Sequence, residues 1–142
     1  MQFLSEIQQK NIVNAIHEAE ELTTGEIKVH VEEHCPYADP MDRAKEVFEY
    51  LSLHKTALRN GVLIYLAYGD HKFCILGDEG INEKVGQEFW NSTREILLEN
   101  FKIGDFENGF IQAIEEAGRK LREYFPCAGS NLNELPNEIS FG

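Results

Sequence analysis

Residues 59–80 read RNGVLIYLAYGDHKFCILGDEG, and this stretch decides the fold. Residues 62–67 form an unbroken apolar run rich in β-branched and aromatic side chains. Asn60 and Gly61 precede it, and Gly69 and Asp70 follow it. That is the pattern of a strand buried on both faces. A second apolar run, residues 73–76, closes at Gly77, Asp78, Glu79 and Gly80. The link between the runs, residues 68–72, is short and contains glycine, which predicts an antiparallel hairpin. The segments on either side are amphipathic, and the hairpin is what they cover.

Upstream, Ser5 and Gln8 match a capping box, and Ile12, Ile16 and Ala19 give the helix that follows one apolar stripe, ending by Thr23, Thr24 and Gly25. Residues 26–33, EIKVHVEE, alternate strictly. Ile27, Val29 and Val31 share one face and Lys28, His30 and Glu32 the other, which predicts a strand near the sheet edge with one solvated face. Asp39 and Pro40 open a second helix, with Ala44, Val47, Phe48 and Leu51 at helical spacing and an end at about His54. Strand, helix, strand is a crossover unit, so residues 26–33 and 62–67 are predicted to be parallel and right-handed.

Downstream, Asn82 is predicted to cap a helix carrying Val85, Phe89, Ile96 and Leu97. After a turn at residues 101–104, Asp105 opens a last helix with Phe110, Ile114, Ala117, Leu121 and Phe125 in register. Pro126 stops it. Residues 126–142 have no period and read as a tail, mobile or draped on the surface, leaving one domain at 1–125. The sum is an α/β fold, a three-layer α/β/α sandwich with a small mixed sheet and helices on both faces.

The 142 residues suit one domain with a real core. Twenty-five acidic against thirteen basic residues give a net charge of −12, which repels phosphate and anionic membrane and argues against nucleic-acid binding. No window is apolar enough to insert in a bilayer, and the N-terminus lacks a basic, then apolar leader. Three cysteines without a CxxC pair fit reduced thiols. A soluble cytoplasmic protein is expected.

The predicted topology gathers the turns holding Thr24 to Glu26, Arg59 to Gly61, and Gly77 to Gly80 at one end of the sheet. Their oxygen donors make Asp78, Glu79, Glu26, Asn60 and Thr24 candidate ligands for a hard divalent cation, calcium or magnesium. The same residues are also ordinary turn formers. The opposite end collects Glu33, His34, Cys35, Asp70 and His71 at the carboxyl ends of the parallel strands, without zinc-site spacing. His17, His30 and His54 fall on faces predicted to be exposed, and Asp105 is first a helix cap. There is no GxSxG, P-loop, GxGxxG, HExxH, EF-hand or Cys-x5-Arg pattern, which argues against a covalent nucleophile and leaves a metal-activated water open.

The first helix, TTGEIKVHV, AKEVFEYL, residues 59–81 and FKIGDFENGFIQAI together resemble the TPM domain family, over about residues 5–125. That family includes thylakoid lumen proteins tied to photosystem II repair, a nematode acetylcholine-receptor modulator and many bacterial proteins. The resemblance implies an α/β/α sandwich and calcium-type cation binding, with acid phosphatase activity as described for some plant members. By position it carries over to Thr24, Gly25, Asn60, Gly61, Asp70, Gly77, Gly80, Gly104 and Asp105. Two departures stand out: Arg59 lies where family members often have aspartate, and Gly77 to Gly80 replaces the usual aromatic-containing loop with added acid. The signal peptide and membrane segment of many relatives are not seen. Two functions are therefore expected as rivals. One is a cation-binding domain whose phosphatase activity, if any, is weak; the other is a non-catalytic module that binds another protein.

Overall fold

The computed structural model describes residues 3–127 and 137–142. At its centre lies β2 (Gly61–Ala67), buried along its whole length. β3 (Lys72–Gly77) returns antiparallel beside it, with Val62 opposite Gly77 and Ala67 opposite Lys72. The predicted hairpin is thus present, and His71 takes the left-handed conformation that closes its turn (φ 56°). β1 (Glu26–Glu32) pairs parallel with β2 from Glu26 opposite Gly61 to Glu32 opposite Ala67. α2 (Pro40–Tyr50) makes the crossover, capped by Asp39, whose carboxylate accepts the Met41 amide at 2.9 Å.

The remaining helices are α1 (Glu6–Glu20), α3 (Glu79–Asn82), α4 (Asn91–Phe101) and α5 (Phe106–Tyr124). Both halves of the Ser5–Gln8 capping box form, and Asp105 caps α5. α1, α4 and α5 cover one sheet face, where Ile12, Ile16, Ile27, Val29, Ile64, Phe110 and Ile114 share one core. α2 covers the other, where Val47, Phe48, Leu53, Leu63 and Tyr65 form a second. The architecture is the expected α/β/α sandwich.

Three expectations need correction. α2 ends at Tyr50, not near His54, because Ser52 turns left-handed (φ 61°) and a 3-10 turn, Leu53–Lys55, follows. The turn drives Leu53 into the core, fully buried over Gly61, where a Cβ would lie 2.8 Å from the Leu53 carbonyl oxygen. Asn82 caps nothing downstream. Asp78 caps α3 instead, accepting the Glu79 amide at 2.8 Å, and a 3-10 turn, Gln87–Trp90, separates α3 from α4.

The third correction matters most. The polar face of β1 is not solvated: Glu26, Lys28, His30 and Glu32 are 1, 7, 4 and 6% exposed. β1 does lie near the sheet edge, with the short strand β4 (Ser140–Phe141) pairing parallel beside it and completing the order β3-β2-β1-β4. Ser140 and Phe141, in the stretch read as a tail, thus form an edge strand of the sheet. Residues 128–136 of that tail lie outside the described residues.

Gly80 shows how tightly the turns at the start of the parallel strands are packed. Its amide donates to the Arg59 carbonyl at 2.8 Å, and a Cβ would collide with the carbonyl oxygens of Leu58 and Arg59. Backbone cannot yield as a side chain can. Gly80→Ala is expected to cost about 2 kcal/mol or more, read as a lowered midpoint in urea unfolding.

Candidate functional site

The three polar turns do meet at one rim. Asp78 donates its amide to the Gly61 carbonyl at 2.9 Å, and Gly61 stands opposite Glu26, so Glu26, Gly61 and Asp78 form one row across the sheet. Thr24 joins through its hydroxyl, which accepts from Asn60 Nδ2 at 3.1 Å. Strand alternation then separates the side chains. Glu26 and Asp78 project to the α2 face, while Asn60 projects to the α5 face. On that second face neighbouring Gly25 packs against Leu121. Leu53 fills the space over Gly61 between the two acids. Asp78, Glu79, Glu26, Asn60 and Thr24 share a rim without forming a single ligand set.

The acids at the rim already have a cation. Arg59 donates from Nε and Nη2 to the two oxygens of Asp78 at 2.7 and 2.9 Å, and from Nη1 to Glu79 at 3.0 Å. Hydrogen bonding to Asp78 raises the arginine pKa further above its usual range. Asp78 is buried, whereas the Arg59 side chain is 40% exposed. A cleft of about 380 Å³ opens here, bordered by Lys45, His54, Arg59, Asp78 and Glu79. Asn60 Oδ1, on the other face, is buried with no hydrogen-bond partner among the described residues.

Glu26 belongs to a different arrangement. The Ile27 amide, which points away from β2, donates to Glu20 Oε2 at 2.7 Å, so a side chain does the work of a neighbouring strand. Glu20 is 3% exposed and lies against Glu26. Burial pushes the Glu20 carboxyl far up, to about 9, and the charge of Glu26 adds to this. Burial likewise lowers the Lys28 ammonium, against the pull of Glu138, Glu20 and Glu26.

A second polar cluster escaped sequence reasoning altogether. Arg43 Nε and Nη2 each donate to the Glu32 carboxylate at 2.9 Å. The Tyr65 hydroxyl donates to the same carboxylate, and His30 Nε2 lies 3.2 Å from it. His30 Nδ1 meets Ser140 Oγ at 3.0 Å. Burial works to raise Glu32, yet the bonds from Arg43, Tyr65 and His30 hold it at about 2. His30, buried, is pushed down from its ordinary value. The one available signal was four ionisable residues at alternate positions 26, 28, 30 and 32, a pattern that reads equally well as a wet face.

At the opposite end Asp70 organises the loop after β1. It accepts the Cys35 amide at 2.6 Å and His34 Nδ1 at 2.9 Å, with Glu33 3.6 Å from His34 Nε2. His34 is largely exposed, and His71 lines a separate groove with Phe73. Among the described residues no group of three or more His, Cys, Asp or Glu side chains could hold a metal ion. The three cysteines are free thiols. No helix among the described residues is long and apolar enough to cross a membrane.

Residues 1–120 match the model of the TPM domain. The chain belongs to the TPM domain family. Among solved structures this TPM domain is similar to the BA42 protein of the psychrophilic bacterium Bizionia argentinensis, solved by NMR. The two are 46% identical, with a TM-score of 0.92 over 99% of this chain and 97% of the other. It also shares its fold with the N-terminal domain of the cg2496 protein from Corynebacterium glutamicum. There the identity is 14% and the TM-score 0.68, over 92% of this chain and 81% of that one. No curated protein matches the chain.

The raised Glu20 makes stability depend on pH with a definite sign. The folded state keeps a proton that the unfolded chain releases near the ordinary value of 4.5, so stability falls as pH rises from there toward about 9. Glu20→Gln keeps an oxygen for the Ile27 amide and removes the titration. The variant should be more stable than wild type by about 1–3 kcal/mol at pH 8, with little difference at pH 4. Urea melts across that range give the comparison.

Proposed function

We propose that this TPM domain is a binding module, and that at the strand-start rim its ligand is a divalent cation taken by Asp78 and Glu79 in competition with Arg59. What supports the reading is one observation: a single, partly exposed guanidinium holds both carboxylates. When Arg59 swings out, two carboxylates and water remain, a donor set that suits calcium or magnesium at millimolar concentration. Glu26, Asn60 and Thr24 stand apart from that set. Calcium titration followed by amide shifts in wild type and Arg59→Gln tests this. Residues 77–80 should move in both, with several-fold tighter binding in the variant. Stationary loops at millimolar ion would end the reading.

Phosphate-ester hydrolysis has less support. A bound ion would polarise a phosphoryl oxygen, but the carboxylates beside it are ion-paired with Arg59, not poised as a general base. Release of phosphate from a generic aryl phosphate should therefore be equal for wild type and Asp78→Ala; a clear drop in the variant would establish catalysis at the rim. The second reading is a protein-interaction module. In its favour Tyr50, Ile103 and Ile7 stand 85, 73 and 72% exposed. They lie on separate elements, however, and scattered apolar side chains are common on any surface.

A further inference from the structure

At the carboxyl ends of the parallel strands a groove of about 320 Å³ opens between the β2–β3 turn and the junction of α4 with α5. Its floor is Leu66, fully buried, and its walls are Phe73, Phe101 and Phe106. These walls are fixed by their own packing. Phe73 meets Phe101 edge-on at 5.4 Å, and Phe101 meets Phe106 at 5.2 Å. Phe106 in turn meets Phe3, which stacks on Tyr68 at 4.0 Å. The cavity is preformed and large enough for a small molecule, and ligands of open α/β sheets favour this end. Leu98 stands at the lip, 46% exposed.

The charges at the groove run against the rest of the molecule. In a chain of net charge −12, no Asp or Glu lines it, and the basic side chains that do are Lys102 and His71. Both are exposed, and neither makes an ion pair among the described residues. Elsewhere Arg59 and Arg43 are fully engaged by carboxylates. An apolar slot with an unengaged ammonium at its mouth is complementary to a molecule with an apolar body and one anionic head.

We propose that this groove binds a small amphipathic carboxylate, its hydrocarbon body between Phe73, Phe101 and Phe106 and its head at Lys102, with His71 beside it. The site lies at the end of the sheet opposite the cation rim, and neither proposal depends on the other.

Decanoate, kept below its micelle concentration, is the probe, and decanol is its neutral counterpart. Saturable shifts at the amides of Phe73, Leu98 and Phe101 are expected with decanoate. Decanol should bind about threefold more weakly, and Lys102→Glu should weaken decanoate about fivefold or more. Leu98→Glu, at an exposed position that leaves the core intact, should abolish the shifts while the thermal melt stays unchanged. Shifts that map elsewhere, or that are equal for decanol and for Lys102→Glu, overturn the proposal. So does movement of the groove amides with protein concentration alone, with a dimer in sedimentation, because a second copy would then fill the groove.

Discussion

Glu32 is a carboxylate removed from water in the middle of a layered fold, and the arrangement around it follows from how that charge is met. Arg43 reaches it from α2, Tyr65 from β2 and His30 from β1, while Ser140 of β4 holds His30 in turn. One group thus ties the crossover helix to three strands. Such a cluster is not primarily a source of stability, because desolvating the ions offsets much of their attraction. Its effect is on specificity. A slip of β1 by one residue would turn Glu32 into the apolar core beneath α1 and α5, with no partner there, at a cost of about 3–5 kcal/mol for the unpaired charge.

The same principle governs the rim at the other end of β1. Glu26 is buried against Glu20 and Asp78 against Arg59, so acids that look available along the chain are already engaged. A ligand at that rim must displace something. The groove beside Lys102 is the reverse case: its aromatic walls pack on one another, and the Lys102 ammonium has no carboxylate partner among the described residues to be displaced. The two ends of one small sheet thus make different chemical demands on a ligand.

Much of this was legible along the chain because the signals were local. Residues 62–67 could be read as a doubly buried strand, Gly69 and Asp70 as a turn, and Ser5, Asp39 and Asp105 as helix caps, each from its immediate neighbours. Strand direction followed from connection length, and with it the meeting of Thr24, Asn60 and Asp78 at one rim. The reading failed where burial was decided by residues far away in sequence. Lys28, His30 and Glu32 alternate as a wet face would, and nothing in residues 26–33 says that Arg43, Tyr65 and Ser140 will meet His30 and Glu32, or that Glu20 and Glu138 will face Lys28.

The amino-acid order by itself determined the hairpin, the crossover and which turns share an end of the sheet, since these follow from backbone periodicity and chain length, but not β4 or the break between α3 and α4. Only the tertiary structure decided which polar groups are engaged. Alternation sent Glu26 and Asn60 to opposite faces, Ser52 turned Leu53 into the gap over Gly61, and Arg59 closed on Asp78. Partnership between side chains depends on distances across layers, and a linear pattern does not carry those distances.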